Sequence, residues 1–485
     1  MNKRQINTTK AFRFKRFARK SYSAFNSLNK VVTIGFLTGF TLVSAHASSV
    51  KPSETVRIEQ KKDTLADQEL EELVVTASKA ELPLSQASKI VTLITRTEIE
   101  RSPAQSVQDL LHNVAGIDVM QRGPHGVQSD ISMRGGSFDQ VAILLNGINL
   151  TNPQTGHYSF DIPINLSDIE RIEIVQGPAS LVYGASAFAG GINIITRKDK
   201  ESNAYVNVQG GMHNLLNTEA RGAYKAPSSL HQLSAGYSSS TGYMDNSDYK
   251  ILNMLWQSRF EKDRNTLDFQ LGFNNKEYGA NTFYTPSYPN QFDDTESMFV
   301  SIKGETNGKL KFIPQLYWNR HYDTFQLIRE GTPDVPDWYT NHNYHRTDVT
   351  GANLTFQYAS QVGITSFGGE FRNEGIVSNV LGKPMDTPIE NYTKSDNRTA
   401  INYFAEQNFL FDNVTLSIGA LLNHNTANTN QFDFYPAINT SFRLNKSVSL
   451  YASWNKATRM PTFTDLYYTT QTHTGNSNLK SEQSE

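Results

Sequence analysis

LDFQLGFN, residues 267–274 of this 485-residue chain, places Leu267, Phe269, Leu271 and Phe273 on one side of an extended strand and Asp268, Gln270, Gly272 and Asn274 on the other. Side chains of a strand alternate with a period of two, so one face is apolar and the other polar. The pattern returns at Val414, Leu416, Ile418, Ala420 and Leu422 against Thr415, Ser417, Gly419 and Asn423, with Leu421 the one apolar exception. It returns again at Val448, Leu450, Ala452 and Trp454 against Ser447, Ser449, Tyr451 and Ser453. Segments about ten residues long with this alternation suit tilted strands that span a membrane.

A large soluble β-sandwich also alternates, so the connections must separate the two readings. Short turns fall at Ala226–Ser229, Lys262–Asn265, Asn307–Lys309, Ser360–Gln361, Asp412–Asn413 and Asn445–Lys446. Between them lie longer polar loops near 241–248, 277–294, 323–344 and 375–397. Short connections alternating with long ones are the pattern of an outer-membrane barrel, tight on the periplasmic side and extended outside. Composition agrees. Only 38% of residues are hydrophobic, aromatics reach 11%, and beyond residue 47 no apolar run is long enough for a spanning helix. Any membrane crossing must then be a closed barrel, because every backbone N–H and C=O needs a partner in hydrocarbon.

Counting from Ala204 gives about thirteen strands, the first rising from the periplasm. That parity sends residues 457–485 into an outer loop that does not return, and an odd meander leaves two unpaired edges in lipid. The expectation is a chain truncated at its C-terminus, holding about thirteen strands of a barrel of about 22.

Residues 1–47 carry nine Lys/Arg and no acid, then an apolar run from Val31 to Val43, then Ala45-His46-Ala47. This is the grammar of a secretory signal. Removing it leaves 36 basic against 47 acidic residues, a net −11 that disfavours nucleic acid as a partner. There is no cysteine, hence no disulfide framework or thiol chemistry. Residues 48–70 are rich in Lys, Glu, Gln and Asp and read as a flexible linker. The apolar burst EELVVTASKAE (71–81) ends that stretch.

Between this burst and the first long strand lies a mixed α/β unit. Ser102-Pro103 reads as N-cap and first turn of a helix bearing Val107, Leu110, Leu111 and Val114 and closed by Gly116. Short strands follow at Asp118–Met120, Asp130–Arg134, Val141–Leu145, Ile172–Val175 and Ile192–Thr196, with an Asn146-Gly147 hairpin turn. Such a unit ahead of a wide barrel suits a plugged lumen.

Its motifs are SVQDLLHNVAGIDV (106–119), ISMRGGSFDQVAILLNGI (131–148) and LSDIERIEIVQGPASLVYGASAFAGGINIITRK (166–198). They resemble the plug domain of TonB-dependent outer-membrane receptors. KEYGANTFY (276–284), YFAEQ (403–407) and TRMPTFTDLYY (458–468) ahead of NLKSEQS (478–484) resemble its barrel. The plug and the GANTFY segment look most like the vitamin B12 receptor branch. The resemblance implies a TonB box at 71–78 (Glu72, Leu73, Val74, Val75, Thr76, Ala77), a plug at 79–198 and a partial barrel at 199–485. A box works by β-augmentation, lending a strand to a partner's sheet edge, and the β-branched Val74, Val75 and Thr76 suit it. LVVTA as simply the plug's first strand is the competing reading.

The resemblance further implies high-affinity uptake of a scarce nutrient, cobalamin or a related corrinoid, by a Gram-negative outer-membrane receptor. Its partners would be TonB with its inner-membrane energising complex, outer-membrane lipid, and a surface or periplasmic ligand-binding protein. A ferric siderophore, haem or another nutrient is the alternative ligand class; adhesion or signalling by a plugged barrel is the alternative function. Arg134 resembles the family arginine that pairs with wall glutamates, here Glu370 and Glu406, which fall on the inward side; hydrated lumen charge explains them equally. Gln176 departs from the family, where an arginine commonly precedes this Gly-Pro.

Ligand-contact candidates at the plug apex are His125, Gln128, Asn152, His157 and Tyr158, although ordinary loop polarity accounts for them too. Asp245, Asp248, Asp293 and Asp294 are candidates for calcium in the outer loops, at a spacing that matches no defined calcium loop. No cofactor is required. His342 and His345 have metal spacing only on a helix. No nucleophile elbow or phosphate loop is present, so the chain is not read as an enzyme.

Overall fold

The computed structural model describes residues 73–485 except 185, 428–430, 446 and 471–472. The signal, the linker and Glu72 lie outside the described residues. The first unit is built on a five-stranded sheet whose strands, named with their neighbours in chain order, begin with a two-stranded piece, β1 (Val74–Val75) and β2 (Leu82–Pro83). Then come β3 (Val91–Thr95), the hairpin β4 (Ile117–Gln121) and β5 (Ser129–Met133), β6 (Val141–Leu145), β7 (Ile148–Asn149), β8 (Ile169–Gln176) and β9 (Gly190–Thr196). The sheet order is β3-β8-β9-β6-β7, with β6 and β9 parallel. Ile143, Leu145, Ile172, Ile174, Ile192 and Ile194 form its core. The β6–β7 turn is the Asn146-Gly147 pair, both at positive φ (52° and 81°).

The helix expected to start at Ser102 starts later. It spans Val107–Leu111, capped by Ser106 with Asp109 in a capping box, whereas Ser102 caps the C-terminus of a preceding helix, Arg96–Arg101. That earlier helix has its own Thr95/Glu98 capping box, a signal present in the sequence.

Thirteen long strands then run as an antiparallel meander: β10 (Asn203–Gly211), β11 (Leu215–Ala226), β12 (Ser229–Ser240), β13 (Tyr249–Lys262), β14 (Asn265–Gly279), β15 (Phe292–Glu305), β16 (Leu310–Gln326), β17 (Asn343–Ser360), β18 (Gly363–Ser378), then β20 (Tyr392–Leu410), β21 (Val414–Asn425), β22 (Asp433–Asn445) and β23 (Val448–Asn455). A short β19 (Lys383–Ile389) folds back on β20, so the loop expected at 375–397 is mostly a hairpin extension. Among the described residues β10 and β23 end the sheet order unpaired with each other.

The burial is inverted relative to a soluble protein. Gln270 and Asn274 are 6% and 0% exposed while Leu267 and Leu271 are above 40%, and Ser417 and Asn423 are buried while Ile418 and Leu422 face out. The polar face of the wall encloses the first unit, and the apolar face looks outward, as a lipid-facing barrel requires. Leu421, the odd apolar residue, is buried against Leu181 of the plug together with Phe404 and Tyr435. Phe299, Tyr317 and Val349 of the wall likewise complete the plug's core.

Residues 457–485 depart from expectation. They fold inward instead of forming a free outer loop: β24 (Ala457–Arg459) pairs with β25 (Glu482–Ser484), and a helix at Phe463–Tyr467 lies between them.

Candidate functional site

Of the places where the plug meets its surroundings, three bear on function as read from the sequence: its leading peptide, its contact with wall glutamates, and its apex. The leading peptide is docked. Val74 and Val75 pair with Pro83 and Leu82, and Leu84 N–H donates to Leu73 O (2.8 Å). Val75 and Ala77 are buried with Ala142, Leu144, Val175 and Tyr183, while Leu73 and Val74 stay partly exposed. Alternation hides Val75 and Ala77 and turns Val74 out, whereas Leu73, of the same parity as Val75, stays exposed.

Thr76 fixes the register. Its N–H donates to Glu173 Oε2 (3.0 Å), its hydroxyl donates to the same oxygen, and Asn193 Nδ2 donates to Thr76 Oγ1 (2.8 Å). Glu173 is fully buried on β8, and its other oxygen meets Arg171 Nη2 at 2.7 Å. The same Arg171 nitrogen reaches Val74 O (3.1 Å). A buried carboxylate is tolerable only when paired, so Glu173 and the docked peptide satisfy each other. Sequence reading missed Glu173 because nothing in IERIEI marks which glutamate faces inward.

Three residues past Thr76, Lys79 crosses to the wall. Its Nζ pairs with Glu370 of β18, its N–H donates to Glu406 Oε2 of β20 (2.7 Å), and Gln357 Nε2 donates to its carbonyl (2.7 Å). The ammonium also sits 4.2 Å from the centre of the Phe404 ring. Asn402 donates to Glu370 (3.1 Å) and Ser417 to Glu406 (2.9 Å). Both glutamates thus point into the lumen as expected, but Arg134 is not their partner. Arg134 lies in a left-handed turn (φ 49°) next to Gly135, exposed, with its Nε donating to Gln176 Oε1 (3.0 Å). That turn aims the guanidinium along the plug surface, and the cation at the glutamates comes from the leading peptide instead.

At the apex, a recess of about 570 Å³ is lined by Met120, Arg122, Tyr243, Met244, Tyr278 and Phe283. Arg122 Nε meets Asp130 Oδ2 (2.8 Å), and His157 Nδ1 meets Asp130 Oδ1 (2.6 Å). Burial disfavours ionisation of Asp130, but the His157 hydrogen bond and the Arg122 charge outweigh it and hold the carboxyl below its ordinary range.

Of the five apex candidates, His157 and Gln128 sit directly behind this recess around Tyr284, Gln128 Nε2 donating to Tyr284 Oη (2.9 Å). Asn152 is buried and accepts from Gln154 N–H (2.8 Å). Tyr158 packs on His321, and His125 lies against Tyr249; neither lines the recess. Arg122 opens the apex loop 122–130 that the sequence marks and Phe283 lies in KEYGANTFY, whereas Tyr243 and Met244 were missed, because loop residues carry no periodicity by which to place them.

The four calcium candidates do not converge. Asp248 is held by both terminal nitrogens of Arg329 (2.6 and 2.8 Å). Asp293 faces the lumen and accepts from Tyr284 Oη (3.0 Å), whereas Asp294, the next residue on the strand, turns the other way and accepts from Asn275 (3.3 Å). Asp245 contributes its carbonyl to Asn281 (2.8 Å). His342 and His345 bond Tyr339 and Ser378 separately. Among the described residues no group of three or more His, Asp or Glu has an arrangement for a metal ion.

The TonB-dependent receptor plug domain family matches residues 83–191, and the TonB-dependent receptor-like β-barrel family matches residues 212–485, more than half the chain. The vitamin B12 transporter BtuB of Vibrio vulnificus (strain CMCP6) is 38% identical over 135 residues, 28% of this chain and 22% of that protein. A mutant form of the ferric enterobactin receptor PfeA of Pseudomonas aeruginosa superposes with a TM-score of 0.61 at 16% identity, covering 78% of this chain and 62% of that one. The unliganded ferric citrate transporter FecA superposes at 0.65 with 15% identity, covering 80% and 66%. At these identities the likeness to solved structures bears on fold alone. The chain spans less than two thirds of the length of the PfeA chain.

Proposed function

Because the chain belongs to the TonB-dependent receptor family, we propose that it serves the uptake of a scarce nutrient across an outer membrane, with cobalamin or a related corrinoid as ligand. The observation that carries the ligand class is the charge state of the apex. Arg122 faces Asp130, Arg329 faces Asp248, Lys276 faces Asp161, and Lys250 faces Glu277. The rest of the recess wall mixes aromatic and thioether side chains (Met120, Tyr243, Met244, Tyr278 and Phe283) with neutral polar ones, and beyond Arg122 it presents no cation among the described residues. Strongly anionic ferric catecholates need uncompensated cations to replace their hydration, whereas a large, nearly neutral macrocycle gains chiefly from apolar and aromatic contact. The local 38% identity to the vitamin B12 transporter supports the same choice.

The mechanism follows from the three joins. Ligand seats against Arg122 and the aromatic rim. The leading peptide leaves Glu173 and offers Leu73–Ala77 as a strand to the TonB sheet edge, which requires unpairing it from Leu82–Pro83. An outer membrane has no nucleotide supply, so the work comes from the inner membrane, worth about 2.3 kcal/mol per charge per 100 mV. Tension on the peptide reaches Lys79 next and withdraws it from Glu370 and Glu406, which frees the plug edge.

The test is deletion of Leu73–Thr76 in the membrane-inserted receptor, with radiolabelled cyanocobalamin and a ferric catecholate as probes. Retained cobalamin binding with abolished accumulation is expected. Retention of the ferric catecholate instead moves the ligand to the siderophore class, and indifference of every phenotype to the deletion favours an adhesin.

A further inference from the structure

We propose that the inward-folded residues 457–484 are a strap, and that Arg459 on it is a second anchor of the plug, opposite in polarity to Lys79 and the first to let go. This rests on the reading that the plug moves during uptake. The strap is fastened at both ends. On the wall side Arg398 donates to Pro461 O and lies 4.9 Å from the Phe463 ring centre, and Tyr467 Oη donates to Asp396 (2.6 Å). On the plug side the N–H groups of Phe463 and Thr464 donate to the carbonyls of Pro153 and Gln154 (2.9 and 3.1 Å), and Thr458 N–H donates to Ser180 Oγ (3.3 Å). At its centre the buried Arg459 guanidinium meets Asp465 (2.6 Å), Glu482 (2.9 Å) and, on the plug, Asp139 (3.6 Å). Gln140, beside Asp139, donates to Glu482 (2.7 Å).

The two anchors differ in what release leaves behind. When Lys79 withdraws, Glu370 keeps only the neutral donor Asn402 in a largely buried place, while Glu406 keeps Asn408, Ser417 and the attraction of the buried Lys89. Stranding charge that way is costly. When Asp139 parts from Arg459, the arginine keeps two carboxylates of its own strap, and Asp139 keeps the N–H of Gly156 (2.6 Å). The cation is not orphaned, and the contact given up is the longest of its three at 3.6 Å, so this catch opens at lower cost than the Lys79 clamp.

It is also the anchor in contact with the apex. Gly156 adjoins His157, which stacks on Phe138 (4.3 Å between ring centres) and bonds Asp130, the partner of Arg122 in the recess. Displacing Arg122 by ligand shifts the residues on both sides of Asp139. The geometry therefore orders the events: the Arg459 catch responds to ligand, and the Lys79 clamp yields to force.

The chain lacks cysteine, so a Ser180→Cys reporter, buried under the strap at 1% exposure, reads the catch by its maleimide labelling rate in membranes. Arg459→Gln and Asp139→Asn should each raise that rate at least about tenfold, with Arg459→Lys close to the parent. In a second arm, Gln140→Cys and Glu482→Cys joined by a short bis-maleimide should retain radiolabelled cyanocobalamin while accumulation falls to about a tenth or less. Equal Ser180→Cys labelling in the parent and Arg459→Gln overturns the anchor, and full accumulation by the cross-linked receptor overturns the need to open it. If the parent without cross-link accumulates no cyanocobalamin, the proposed ligand fails, and the labelling arm still decides the catch.

Discussion

Replacing Glu173 with Gln keeps the shape at the buried end of the leading peptide and removes the charge. In the structure that carboxylate accepts from the N–H and the hydroxyl of Thr76 and, on its other oxygen, from Arg171. Hydrogen bonds to a charged group contribute about 1.5–3 kcal/mol against about 0.5–1.5 for neutral ones, so the two bonds from Thr76, each weakened by about 1 kcal/mol, total about 2 kcal/mol, while the Arg171 bond lies within the plug and persists on undocking. One decade in population is about 1.4 kcal/mol, which raises the undocked fraction about 30-fold. The reporter is Val75→Cys, since Val75 is 1% exposed when docked and reachable only after undocking. Thiol modification then tracks the open population, and Glu173→Gln should accelerate it about 30-fold. Thr76→Val, which keeps the N–H bond and loses the hydroxyl's bonds to Glu173 and Asn193, should give about tenfold. A change below about threefold in Glu173→Gln, with the plug's urea midpoint unmoved, refutes the assignment of Glu173 as the holder of this segment.

Lys79→Met should destabilise the plug by about 3–5 kcal/mol because Glu370 is left unpaired, and adding Glu370→Gln should restore most of the loss; urea unfolding of the two variants checks both. Gly272 of the wall approaches Pro163 of the plug so closely that a Cβ would collide with the ring, so Gly272→Ala should cost about 1–3 kcal/mol in the same assay. Asp161 is fully buried; burial opposes its ionisation, but Lys276 and the His321 hydrogen bond bring it down to about 2 from the ordinary 3.8. A depressed folded-state value means stabilisation present above 3.8 and lost as pH falls through about 2. Acid titration of plug unfolding should show that loss between pH 4 and 2, and Lys276→Met should abolish it.

The wall was legible because period-two alternation and turn placement are local properties, and the strands at 265–279 and 414–425 lie where the pattern puts them. Glu370 and Glu406 were legible for the same reason, as parity alone sends them inward. Their partner was not. Arg134 and Lys79 are equally cationic, and which one reaches the wall depends on a left-handed turn after β5 and on how far the leading peptide runs before it meets β18. The helix start slipped from Ser102 to Ser106 because two capping signals stand four residues apart and tertiary packing chose between them. The strap at 457–484 was invisible, since its inward course is set by Arg459, Asp139 and Pro153, residues hundreds of positions apart in sequence or without periodicity.

The lumen side of the wall is lined with Gln232, Ser234, Gln270, Asn274, Ser301, Asn402 and Asn423, all nearly hidden by the plug. Amides and hydroxyls exchange one hydrogen-bonding neighbour for another, or for water, at little net cost. Such a lining behaves as a bearing: it resists side-to-side play yet offers low friction to sliding. Adhesion is then concentrated in a few point contacts, and a modest axial tug can free a body whose total contact area would otherwise hold it fast.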